Sequence, residues 1–206
     1  MKRILFMGDS ITDANRNREV DFAMGHGYAC LVSSRLGFEN PNEYQFINRG
    51  ISGNRISDLI ARIKSDAINL KPDVMSILIG INDVWHENAF KNGVDEALFE
   101  ELYSLYIREI KTALPEIRIM ILEPFVLPGK ATEENWDFFK KETALRAAAA
   151  KRVANKFGLE FIPLQEKINE ATKLAEPTFW LVDGIHPSSA GHELIAREWL
   201  KCYNKQ

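Results

Sequence analysis

Apolar residues along the chain fall into two alternating patterns. Short continuous runs occupy residues 4–7, 44–48, 73–80 (DVMSILIG), 118–125 (RIMILEPF) and 159–164 (LEFIPL). Runs of this length suit strands covered on both faces. Between them the apolar positions switch to helical spacing. Ile56, Leu59, Ile60, Ile63, Ala67 and Leu70 share one helical face. Phe99, Leu102, Tyr103, Tyr106, Ile110, Ala113 and Leu114 do the same, and Pro115 stops that segment. Residues 135–157 carry the alanine run 147–150, with Gly158 as the expected C-terminal cap. Gly37 is expected to close an earlier helix over residues 28–36. A last helix begins near Pro187 and uses Ala190, Leu194, Ile195 and Trp199.

Strand and helix in alternation predict an α/β fold: a three-layer α/β/α arrangement around a five-stranded parallel sheet, doubly wound in flavodoxin-like order. With 206 residues, no internal repeat and no linker-like stretch, the whole of 1–206 is read as a single domain. The polar gap 126–135 (VLPGKATEEN) is either a solvated loop or a wall of the ligand site.

Composition is that of a soluble globular protein, with 46% hydrophobic and 27% charged residues. A net charge of −3 and the lack of a basic block or stripe argue against nucleic acid as a partner, and no apolar stretch reaches membrane-spanning length. The two cysteines, Cys30 and Cys202, are read as lone thiols, and the expected location is cytoplasmic.

In an open parallel sheet, ligands bind beyond the carboxyl ends of the strands. The turns there read Gly8-Asp9-Ser10 after the first strand, residues 48–54 (NRGISGN) after the second, and residues 80–83 (GIND) after the third. Asp183-Gly184-Ile185-His186-Pro187 follows the fifth strand and a further helix. These turns hold parts for acyl transfer. A serine hydroxyl needs a base to take its proton, and histidine serves because its pKa lies near neutrality. A carboxylate orients the histidine and offsets its charge. Asp183 and His186, three apart, place both on one turn. An oxyanion needs donors. The backbone N–H groups of Ser10 and Gly53 and the side-chain amide of Asn82 are the candidates. Each piece alone is an ordinary turn or cap residue; their joint occurrence at four strand-end turns makes the case.

The same residues carry a family likeness. "GDSITD", "NRGISGNR", "IGINDVW" and "DGIHPSSAGH" resemble the four sequence blocks of the SGNH (GDSL-type) hydrolases, from Gly8 to His192. The resemblance implies Ser10 as nucleophile and first oxyanion donor, Gly53 (with Gly50 a nearby competitor) and Asn82 as further donors, and Asp183 and His186 as the acid–base pair. Ile11 stands where the family often has leucine. More narrowly, "LFMGDSITD", "RGISGNRISDL", "IGINDVW" and "HPSSAGH" are similar to bacterial carbohydrate acetyl esterases such as acetylxylan esterases. That implies removal of acetyl groups from xylo-oligosaccharides or related sugars, with no cofactor and no metal. Broad-specificity lipolytic esterases, lysophospholipases and thioesterases of the same superfamily share much of this wording and remain an alternative. The relatives leave a homo-oligomer open.

Asp9 competes with Asp183 for the carboxylate role and is read instead as a cap or loop-orienting residue. His192 is read as structural, because six residues from His186 gives no standard zinc spacing. Among many aromatics near the expected rim, Trp85 is the candidate substrate contact, by stacking on a sugar ring. Readings from other classes are a phosphate-binding loop, which lacks the glycine signatures, phosphotransfer through Asp9, and a non-catalytic sugar-binding module, which is expected to have lost an acid–base residue.

Overall fold

The five predicted strands form one parallel sheet in the order β2-β1-β3-β4-β5, the flavodoxin-like arrangement. The structure, a computed structural model, describes residues 1–205. In chain order the elements are β1 (Lys2–Gly8), α1 (Ser10–Asp13), α2 (Tyr28–Glu39), β2 (Tyr44–Gly50), α3 (Ile56–Ala61), α4 (Ile63–Asp66), β3 (Val74–Leu78) and α5 (Ile81–Phe90). They continue with α6 (Glu96–Ala113), β4 (Arg118–Leu122), α7 (Trp136–Phe157), β5 (Glu160–Ile162), α8 (Gln165–Ala171), α9 (Pro177–Trp180) and α10 (Ser189–Tyr203).

β1 is an interior strand and shows why the apolar runs are continuous. Ile4 and Phe6 enter one core with Tyr28 and Val32 of α2 and Ile195 and Trp199 of α10. Leu5 and Met7 enter the other, with Leu59 of α3, Tyr103 and Ile107 of α6 and Ala150 and Val153 of α7. Side chains alternate across a strand, so a strand with helices on both faces needs apolar residues at every position.

Four departures from the sequence expectation have a local reason. The segment 56–70 is not one helix. It breaks at Arg62, whose Nη1 donates to Arg49 O (2.7 Å), Nη2 to Gly8 O (3.2 Å) and Nε to Asn54 Oδ1 (2.8 Å), so this side chain ties together the ends of β1 and β2. Gly37 does not end α2, which runs on to Glu39 and is capped at Asn40. β4 stops at Leu122. Pro124 has no N–H to extend the ladder, and Glu123 Oε2 accepts from Leu164 N (2.7 Å) and Gln165 N (2.9 Å). Finally, the turn expected at residues 80–83 after β3 opens the ten-residue helix α5, Ile81–Phe90.

The gap after β4 is not a solvated loop. Val126 and Leu127 are buried. Leu127 N donates to Gly184 O (2.9 Å) and Ala131 N to Asp183 O (2.9 Å), so this segment braces the turn that carries Asp183 and His186.

Candidate active site

The parallel strands bring three of the predicted turns to one edge of the sheet, and the fourth, between α9 and α10, meets the first through Ser10 and His186. β1 ends at Gly8, and Asp9 caps α1 with its Oδ1 accepting from Ile11 N at 3.0 Å. Ser10 is therefore the first residue of a helix, with its N–H among those left unpaired by the helix geometry. At the far end of the chain, α9 and α10 flank the turn holding Asp183 and His186.

Ser10 Oγ lies 2.9 Å from His186 Nε2, and His186 Nδ1 lies 2.7 Å from Asp183 Oδ2. The proton positions follow from the partners. Burial alone would raise the Asp183 pKa. Hydrogen bonds from the His186 ring and from the His186 and Ile185 backbone outweigh it and hold Asp183 down at about 2. An ionised Asp183 only accepts, so Nδ1 carries the ring proton and Nε2 is left to accept from the Ser10 hydroxyl. The hydrogen bond to Asp183 raises the His186 pKa, while burial lowers it; the partner prevails. The other carboxylate oxygen is equally occupied: Asp183 Oδ1 accepts from Ile185 N (2.9 Å) and His186 N (2.8 Å).

The three candidate oxyanion donors are held in different ways. No backbone partner takes the Gly53 N–H, and this residue has φ +85°, a conformation that favours glycine. Space is not the reason, since a Cβ here would meet nothing within 4 Å. Gly50 is the reverse case. Its N–H donates to Asn48 Oδ1 at 2.8 Å, and a Cβ would fall 2.2 Å from Asp13 N. Gly50 is thus a packing glycine between β2 and α1, and its donor is committed. Asn82 Nδ2 donates one of its two hydrogens to Asn54 O at 3.1 Å, which fixes the amide and leaves the second hydrogen free. One residue on, the buried Asp83 accepts from Ile56 N at 3.2 Å. Together Asn82 and Asp83 pin the 53–56 segment to the start of α5.

Trp85 lies one helical turn after Asn82 on α5, with its ring centroid 5.9 Å from that of His186. A cleft of about 280 Å³ opens at Ser10 and His186 and is lined further by Ile11, Ala14, Asn15, His26, Ser52, Pro187 and His192. A larger, mainly apolar pocket of about 620 Å³ lies between residues 123–128, α7 and α8 and contains none of the site residues.

Asp9 makes no hydrogen bond to the His186 ring, whose Nδ1 is taken by Asp183; it is fully buried, and burial pushes its carboxyl up to about 7. Its Oδ2 has no hydrogen-bond partner among the described residues. His192 Nδ1 accepts from Tyr28 N at 3.1 Å. The two cysteines are unpaired, and no helix among the described residues is long and apolar enough to cross a membrane.

Several supporting residues were not singled out from sequence. Buried Asn48 donates to Thr12 O (2.6 Å) and Met24 O (3.0 Å), and Asp13 Oδ2 accepts from Ser52 N (3.1 Å). These bonds hold the second turn against α1. The available signal was polar residues at the strand ends, inside the same motifs that carry the chemistry.

Residues 6–194 match the model of a family described as the GDSL-like lipase/acylhydrolase family. The chain is 33% identical to an acetylxylan esterase from Geobacillus stearothermophilus, over 97% of this chain and 93% of that one. A solved structure from Parabacteroides merdae, described as a GDSL-like lipase, matches with TM-score 0.92 at 32% identity, covering 98% of this chain and 94% of the other. A structure of the Geobacillus stearothermophilus acetylxylan esterase matches with TM-score 0.88 at 32% identity, covering 100% and 95%. That structure is of a catalytic mutant altered at a serine. A second catalytic mutant of the same esterase, 31% identical to this chain with the same TM-score and coverage, is altered at an aspartate.

Proposed function

Because this chain belongs to the GDSL-like lipase/acylhydrolase family and is a carboxylic ester hydrolase of that kind, we propose that Ser10 is its nucleophile and that it removes acetyl groups from xylo-oligosaccharides or related sugars. The observation that carries the reading is the hydrogen-bonded line from Ser10 Oγ through His186 to Asp183, at 2.9 and 2.7 Å.

In this mechanism His186 Nε2 takes the hydroxyl proton as Ser10 Oγ attacks the ester carbonyl. The carbonyl oxygen gains charge and is held by Ser10 N–H, Gly53 N–H and the free amide hydrogen of Asn82. Asp183 steadies the imidazolium. The tetrahedral intermediate collapses, and the alcohol oxygen leaves with the proton from His186 Nε2. Water enters, gives a proton to the same nitrogen and attacks the acyl-serine. The acid departs, and Ser10 recovers its proton.

The cleft of about 280 Å³ beside Ser10 and His186 favours a hydroxylated alcohol. Its polar lining beside Ser10 and His186 is a set of hydrogen-bonding side chains, Asn15, Ser52, His26 and His192, and not an apolar channel. Trp85, beside His186, offers a face for a sugar ring. Two free thiols fit a cytoplasmic enzyme acting on oligosaccharides.

The substrate assignment is tested by acetate release from acetylated xylo-oligosaccharides, compared with 4-nitrophenyl acetate and 4-nitrophenyl decanoate. The expected result is a higher kcat/KM on the oligosaccharide than on the decanoate. Preference for the decanoate would support a lipolytic enzyme instead. Asn82→Ala is expected to lower kcat by about 10²–10³-fold. A loss below threefold, with the melting temperature unchanged, would show that another group holds the oxyanion.

A further inference from the structure

His192 falls outside the chemistry above, yet it lines the same cleft as Ser10 and His186. It sits on the first turn of α10, with only 7% of its surface exposed. Its protonation is fixed by a donor that cannot rotate. The backbone N–H of Tyr28 points at Nδ1 from 3.1 Å, so Nδ1 must be the unprotonated nitrogen. A neutral imidazole with a bare Nδ1 carries its proton on Nε2. The doubly protonated ring would set two N–H groups against each other at Tyr28. Burial, with the positive charge available to His26 and His186, also disfavours it and brings the His192 pKa down to about 4. No protein group among the described residues takes a hydrogen bond from Nε2. The Tyr28 contact and the tight packing against Gly27, where a Cβ would fall 2.8 Å from the ring Cε1, hold the ring in place.

The side of the cleft matters as well. His186 must hand its proton to the leaving oxygen, so the departing alcohol lies within reach of His186 Nε2. The cleft that His192 lines is the one walled by His186 and Pro187. Of the oxyanion candidates only Ser10, the attacking residue itself, lines it; Gly53 and Asn82 do not. A group bound there belongs to the alcohol half of the ester.

We infer that His192 is a specificity-determining residue, whose Nε2–H is a fixed donor to a hydroxyl or ring oxygen of a polyhydroxylated leaving alcohol. The inference rests on the carbohydrate-ester reading and deepens it. An alkyl alcohol, or an aryl one carrying only a weakly accepting nitro group, leaves this donor poorly paired once water is displaced. A sugar satisfies it. Sites built around a buried hydrogen-bonding group discriminate strongly against analogues that cannot pair with it.

Two variants separate the donor from the packing. His192→Asn keeps an acceptor close to the place of Nδ1 for Tyr28 N–H and removes the donor at the place of Nε2. His192→Gln puts an amide donor near Nε2 and gives up the Tyr28 contact. The quantity to measure is the ratio of kcat/KM on acetylated xylo-oligosaccharides to kcat/KM on 4-nitrophenyl acetate, with melting temperature alongside. For His192→Asn the ratio is expected to fall about tenfold or more, as for loss of one buried hydrogen bond, with 4-nitrophenyl acetate turnover within threefold of wild type. For His192→Gln the ratio is expected to stay near wild type despite a lower melting temperature. A ratio unchanged in His192→Asn, or both substrates falling together there, would overturn the assignment of His192 while leaving the esterase reading intact. Wild-type enzyme that turns over 4-nitrophenyl acetate and no acetylated carbohydrate would overturn the substrate reading, and this role for His192 with it.

Discussion

Ser10→Ala is expected to lose on the order of 10⁴–10⁶ in kcat on 4-nitrophenyl acetate, the scale seen when the nucleophile of a serine hydrolase is removed. The fold gives little reason for collateral damage. Ser10 Oγ has one partner, His186 Nε2, and everything that shapes the turn is supplied by its neighbours. Asp9 still caps Ile11 N, Asn48 still holds Thr12 O, and the Ser10 backbone N–H remains for the oxyanion. The substitution therefore removes the attacking atom and almost nothing else. The measurement is steady-state turnover with circular dichroism and thermal melting as controls. A loss of less than tenfold with an intact fold would mean that Ser10 does not attack the ester.

Asp183→Asn is expected to cost about 10⁴ in kcat by inverting the histidine tautomer. The geometry dictates which way the new amide turns. At Oδ1 the side chain meets two backbone donors, Ile185 N and His186 N, so the amide oxygen must stay there. Its NH₂ group then faces His186 Nδ1, where the carboxylate Oδ2 sat at 2.7 Å. Nδ1 becomes the acceptor, the ring proton moves to Nε2, and Ser10 faces a donor where it needs a base. The pH dependence carries the second half of the prediction. His186 must be neutral at Nε2 to act, so wild-type kcat/KM rises with pH through the His186 pKa. Asp183 raises that pKa, so the acid limb lies above the value of a free histidine. In Asp183→Ala the carboxylate is gone, and the acid limb of the residual activity is expected to move to lower pH. A limb that stays in place would mean that Asp183 does not set the charge state of His186.

The sheet and most of its helices were legible because they depend on short-range rules. Runs such as Asp73-Val74-Met75-Ser76-Ile77-Leu78 report burial on both faces, and Pro115 and Gly158 mark the ends of α6 and α7. Ser10, His186 and Asp183 could be picked out together because the turns at one edge of such a sheet are neighbours in space, and the structure joins these three in one hydrogen-bonded line. What the sequence concealed depends on where individual donors point. Gly50 and Gly53 look alike in "RGISGN", and they separate only when Asn48 is seen to occupy the Gly50 N–H. α5 was hidden because its buried residues, Ile81, Asn82, Asp83 and Val84, crowd into the first turn without the recurring apolar spacing of a longer amphipathic helix. The break at Arg62 arises from backbone carbonyls of β1 and β2, contacts that no local pattern encodes. The spacing of His192 from His186 and the lack of a clustered Cys/His motif point to a structural role. Its contact with Tyr28 N is structural, and the residue also lines the cleft.

The central claim is that the acyl group passes through Ser10. Its most direct test is to inactivate the enzyme with a fluorophosphonate and locate the adduct by peptide mass mapping. Cleft hydroxyls at Ser10 and Ser52 both stand within the same pocket, so the experiment offers a real choice. The account predicts a single stoichiometric adduct on Ser10, formed slowly or not at all in His186→Ala. An adduct on Ser52 or any other residue, or full labelling of Ser10→Ala, would contradict it.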